Sequence, residues 1–263
     1  MDNRGGHITA GGAIDAILTD LDNRDGTAAL NRLTLQGQRL DNQHGILSLA
    51  TDATIHTHTL NNAAGQLHAN GTLDLTAQQL SNRSGQLLTT GPQSATLTIA
   101  GLLDNQHGII ASAANVLTLK TGHLNNAAGQ LHANGTLDLT AQQLSNRSGQ
   151  LLTTGPQSAT LTITDLLDNT SGTLASTGSL TITAATLDTT DGTLQSGQGP
   201  CTLMPPPSPP TAPPSPAKTP SPTPAPTPTS ATPPPPPNTS PSTPTPSPPP
   251  AATSPPTENT PSN

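Results

Sequence analysis

No phenylalanine, tyrosine or tryptophan occurs among the 263 residues of this chain. Aromatic side chains bury the largest areas in ordinary cores, so an interior without them must be filled by Leu, Ile, Val and Ala in thin, regular layers. Charge is also scarce, at 9% of residues with a net of -7, and the cations are scattered singly among a larger number of acids. With no basic patch to neutralise phosphates and no rings to stack on bases, nucleic-acid binding is not expected. A lone cysteine, Cys201, excludes an internal disulfide framework. No apolar run approaches the length of a membrane span, so a membrane-spanning segment is not expected. The opening MDNRGGHITAGG has neither the basic start nor the apolar run of a signal peptide.

What the chain has in abundance is repetition. Leu60 to Ile99 recurs letter for letter at Leu124 to Ile163. Around this identity runs a looser phrase, L-[DNS]-N-x-x-G, seen as LDNRDG at Leu21, LDNQHG at Leu40, LNNAAG at Leu60, LSNRSG at Leu80 and LDNTSG at Leu167, with a frayed LDTTDG at Leu187. Its glycines are Gly6, Gly26, Gly45, Gly65, Gly85, Gly108, Gly129, Gly149, Gly172 and Gly192, spaced by about twenty residues, which implies about nine to ten coils. Between glycines the pattern alternates with period two: Leu67, Ala69, Leu73, Leu75 and Ala77 stand between Gln66, His68, Thr72, Asp74 and Thr76. That is strand periodicity, cut by Asn-Gly and Asn-x-x-Gly turns where positive φ is cheap.

A coil of about twenty residues with two or three short strands cannot bury its own apolar face, whereas stacked coils bury a continuous column. The expected fold of residues 1–199 is therefore all-β, a parallel β-helix, with ten coils making a rod roughly 45 to 50 Å long. Two longer coils carry TTGPQSAT at Thr89 and Thr153, where Pro92 and Pro156 suit a surface corner better than a ladder. Asn23, Asn42, Asn62, Asn82, Asn105, Asn126, Asn146 and Asn169 share one phase of the repeat. They read either as turn asparagines or as an internal ladder of stacked amides, and in both cases as structural repeat positions together with the glycines three residues on.

The extended phrase L-[DNS]-N-x-x-G-x-L-x-A-x-G-x-L-x-L-x-A resembles the repeat of filamentous haemagglutinin-type exoproteins, over residues 2 to about 199. That family includes two-partner-secretion adhesins and the stalks of contact-dependent growth-inhibition toxins. The resemblance implies a right-handed β-helical shaft, exported by an outer-membrane transporter partner and displayed at the cell surface or released. It implies as partner a receptor or glycan on a host or neighbouring cell. Beginning within a repeat at Met1-Asp2-Asn3, the chain reads as a fragment of a larger exoprotein.

From Pro200 the composition turns to Pro, Ser, Thr and Ala, as in PSPPTAPPSP. Residues 200–263 are expected to be a disordered, largely polyproline II tail serving as spacer or linker, with PxxP ligand a weaker reading. A third reading is a shifted frame, since Leu and Thr codons such as ACC CTC ACC yield Pro and Ser one base later.

The repeats carry few residues that suit catalysis or metal binding. His56 and His58 would share an outer face, opposite Thr76 and Gln78, with Asp52 and Asp74 the nearest further ligands; surface histidines are the simpler reading. Asp20, Asp22 and Asp25 fail the calcium-loop spacing. No GxSxG elbow or paired carboxylates appear, and Asp74 and Asp138 are repeat copies, so neither an enzyme nor a cofactor is expected. The function expected is the shaft of an adhesin that mediates attachment, with the stalk of a growth-inhibition toxin as the alternative and a β-helix carbohydrate-active enzyme a distant third.

Overall fold

The computed structural model of the chain describes residues 1–9 and 15–205; most of the Pro-rich tail, and the disorder expected of it, lies outside the described residues. Among the described residues there is no helix, and the strands fall into two parallel sheets of ten and eleven strands, each ordered as in the sequence. The chain climbs by alternating between them. A four-residue strand such as Gln66–Ala69 lies in one sheet, a corner follows, and a strand of nine or ten residues such as Leu73–Ser81 lies in the other. An Asn-x-x-Gly turn then closes the coil. This is a right-handed parallel β-solenoid, the hand that parallel crossovers favour.

Register makes the core. Leu47, Leu67 and Leu87 stack in one column of the short-strand sheet, while Leu75, Leu97, Leu119 and Leu139 stack in the other. Leu40, Leu60, Leu80, Leu103, Leu124, Leu144 and Leu167 form a third column beside the turn. All are buried, and the apolar part of the core among the described residues is made of Leu, Ile and Ala. Burying each leucine contributes about 2 kcal/mol, so a coil with several of them holds its neighbours mainly by apolar contact. A slip of one residue would turn that set outward, which is why the alternation specifies the register strongly.

The coils starting after Gly85 and Gly149 are longer than the coil between Gly65 and Gly85, 23 residues against 20 (108 − 85, 172 − 149 and 85 − 65). Two of the three extra residues lie in the TTGPQS corners, where Pro92 and Pro156 sit in bends. The third is a bulge in the long strand, marked by register shifts between Ile99 and Leu102 and between Ile163 and Leu166. Pro92 and Pro156 thus lie at corners as expected, whereas the bulge has no sequence mark because an inserted residue leaves the alternation on either side of it intact. The long-strand sheet also runs beyond the change of composition at Pro200, since Cys201–Met204 pairs with Leu180–Asp188.

Candidate functional site

The most conspicuous polar feature is inside. Asn23, Asn42, Asn62, Asn82, Asn105, Asn126, Asn146 and Asn169 are fully buried, and Asn3 nearly so. From Asn3 to Asn146, each Nδ2 donates to the Oδ1 of the asparagine one coil on, at 2.6 to 2.8 Å. The same amide donates to the carbonyl of the residue that follows the glycine in the next coil, as Asn62 does to Gln86 at 2.9 Å. Turn and ladder, left as alternatives by the sequence, therefore coexist in one residue. The ladder ends at Asn169 because the frayed copy has Thr189 in the next coil. Every buried side-chain nitrogen and oxygen among the described residues has a partner.

Gly26, Gly45, Gly65, Gly85, Gly108, Gly129, Gly149 and Gly172 complete these turns, but not through positive φ. The left-handed residue is the one before each of them: Asp25, His44, Ala64, Ser84, His107, Ala128, Ser148 and Ser171 have φ of 52° to 56°. The glycine is required by closeness. A Cβ on Gly65 would be driven into the Asn42 carbonyl oxygen of the preceding coil, and the other glycines meet the same obstacle. The positive φ expected in these turns is present, carried by the residue before the glycine, and the glycine lets two coils approach.

Outside the turn runs a charged border. Asp2, Asp22 and Asp41 occupy one row, which would be repulsive without cations between them. Arg24 binds Asp22 at 2.6 Å and lies 3.6 Å from Asp41, while Arg39 pairs with Asp41. Higher up, Arg83 reaches Asp104 and Arg147 reaches Asp168, both at 3.2 Å. The Arg24 hydrogen bond holds the Asp22 carboxyl below the usual range. The exposed Asp2 is lowered to about 2 by its bonds with Arg4. Arg4–Asp2, Arg24–Asp22 and Arg39–Asp41 join residues two apart in the chain, whereas Arg24–Asp41, Arg83–Asp104 and Arg147–Asp168 join neighbouring coils and have no local signature.

The residues weighed for chemistry stay apart. His56 and His58 face outward, as expected, with His56 Nε2 at 3.7 Å from Asp74 Oδ2. Asp52 is committed elsewhere, accepting from the Thr72 amide at 2.9 Å and from Arg32 at 3.2 Å. Asp20 accepts from the Gln38 and Arg39 amides, Asp22 binds Arg24, and Asp25 lies beside His44. Among the described residues no group of three or more His, Cys, Asp or Glu is placed to hold a metal ion, and no helix is long and apolar enough to cross a membrane. The surface depressions are shallow grooves between coils; one of about 240 Å³ is lined by Thr90, Ala113, His132 and Asn134 among others.

A parallel solenoid with a buried asparagine ladder, a glycine that permits close stacking and a repeated polar exterior belongs to the class of β-helical repeat scaffolds. The chain is a member of the haemagglutinin repeat family, which matches residues 1–57, 28–107, 89–170 and 152–199. No curated protein and no solved structure gives a significant match.

Proposed function

We propose that residues 1–199 are a shaft segment of a surface-exposed or secreted bacterial adhesin, acting through stiffness and a repeated outer face rather than through catalysis. The observation that carries this reading is the unbroken coil-on-coil stacking, in which each coil offers the same outward positions. One such row contains Thr34, Thr54, Asp74, Thr96, Thr118, Asp138, Thr160 and Thr181, in register from coil to coil. Weak contacts repeated along a rod sum by effective concentration, and avidity can exceed a single contact by about 100-fold or more. A receptor or glycan on a host or neighbouring cell is the partner this reading calls for. Export of the full-length exoprotein would use an outer-membrane transporter. The Pro-rich segment beyond the Cys201–Met204 strand is read as a spacer.

Attachment tests the reading directly. Beads coated with the folded chain at graded densities are mixed with epithelial or bacterial cells and washed under flow. Attachment that climbs more steeply than coating density is the expected result. Attachment no greater than that of beads carrying heat-unfolded chain would remove the adhesive role.

A further inference from the structure

The duplicated stretch QLHANGTLDLT places an Asn-Gly pair at a corner twice, as Asn70-Gly71 and Asn134-Gly135. Both asparagines are exposed and both glycines buried. Both side-chain carbonyls are also polarised alike. Thr90 Oγ1 donates to Asn70 Oδ1 at 2.8 Å, and Thr154 Oγ1 donates to Asn134 Oδ1 at 2.7 Å. Behind each hydroxyl stands a histidine, His68 Nε2 at 2.9 Å from Thr90 Oγ1 and His132 Nε2 at 3.0 Å from Thr154 Oγ1. Because the hydroxyl proton is committed to the amide oxygen, the ring nitrogen is the donor in this chain of bonds.

The copies differ at the backbone nitrogen that follows. The Gly71 amide donates to the Thr51 carbonyl at 2.8 Å, and the Asp52 carboxylate takes the next amide, that of Thr72, at 2.9 Å. Under the second copy lies Ala113-Ala114-Asn115. There the Asn115 carbonyl accepts from Thr136 at 2.9 Å, and the Gly135 amide has no hydrogen-bond partner among the described residues. Asn134 also opens onto the groove of about 240 Å³ that it lines with His132, where a water molecule has room.

We propose that Asn134-Gly135 is a site of spontaneous deamidation in the folded protein and that its twin Asn70-Gly71 is protected. The Gly135 nitrogen loses its proton to solvent base and attacks Asn134 Cγ. A bond forms between them, the Cγ–Nδ2 bond breaks, and ammonia leaves after taking a proton from water. The resulting succinimide adds one water across either carbonyl and opens to aspartate or isoaspartate. The Thr154 hydroxyl, backed by His132, stabilises the negative charge that gathers on Oδ1 during attack, as a donor aimed at a developing oxyanion does. At Asn70 the same donor is present, but attack requires breaking the Gly71 to Thr51 hydrogen bond. The barrier gained from one such bond slows the reaction by about tenfold.

The duplication supplies its own control. The full chain is incubated folded at mildly alkaline pH and then digested with trypsin. Asn70 falls in the peptide Leu40–Arg83 and Asn134 in Thr121–Arg147, so mass spectrometry separates the copies. Fragmentation then places the converted residue at the Asn-Gly pair. Conversion at Asn134 about tenfold faster than at Asn70 in the folded chain, with the two rates converging in denaturant, is the expected result. Equal rates in the folded chain, faster conversion at Asn70, or a difference that persists after unfolding would each overturn the assignment.

Discussion

Ala64 and Gly65 are neighbours with opposite requirements. Ala64 has a φ of 53°, a left-handed conformation that strains any residue with a Cβ, while Gly65 faces the Asn42 carbonyl. Left-handed geometry costs an alanine about 1 to 2 kcal/mol, and a glycine introduced there returns about half of that as lost chain entropy. Ala64→Gly is therefore expected to stabilise by about 0.5 to 1 kcal/mol, and Gly65→Ala to destabilise by about 3 kcal/mol, the upper range for overpacking. Thermal melts of the two variants check both signs. Asparagine substitutions should depend on place in the ladder. Asn105→Ala strands Asn82 below it and Asn126 above it, whereas Asn169→Ala strands only Asn146. Losses of about 2 to 4 kcal/mol for the first, and clearly less for the second, are expected from denaturant titration. The sequence shows the phase of these asparagines plainly, because the turn recurs about every twenty residues. It leaves open what each amide bonds to, since that partner lies a whole coil away.

At the scale of one coil, the alternation of apolar and polar residues is readable because a half-buried strand has a period of two. The bulge and the Arg–Asp pairs between coils, such as Arg83–Asp104, are not, because an inserted residue and an ion pair one coil apart leave no short-range mark. Their energetics show in acid. The Thr72 amide holds the Asp52 carboxyl below its usual range, and Arg24 does the same for Asp22. At Asp168, burial pushes the carboxyl upward, but the Thr170 and Arg147 bonds outweigh it and the net shift is downward. A carboxyl depressed in the folded state adds stability above its unfolded value, near pH 4, and loses it as pH falls through the folded value. The melting temperature should hold steady from pH 7 to about 5 and decline below about 4. In Asp52→Asn the plateau should sit lower and the decline be shallower, both visible by circular dichroism across that range.

Over the whole molecule, the absence of aromatic residues and the recurrence of one phrase suffice to read the architecture, since only stacking lets such coils bury their leucines. The expected far-UV spectrum of the folded chain is rich in β-structure, and a helical spectrum would refute the solenoid. Solenoid stability is passed between nearest neighbours, so amides of the coils around Asn105 should exchange more slowly than those around Thr193–Ser196, which among the described residues borders one coil in its sheet. Hydrogen exchange with peptide resolution measures that gradient. The exact copies stand 64 residues apart (124 − 60), and this offset spans three complete coils, from Gly65 to Gly129. Recombination between the two repeats within the gene would therefore remove or add three whole turns and leave every asparagine above another asparagine. The locus can change its length in a single crossover without passing through a misfolded product, so length is a heritable variable that selection can adjust in steps.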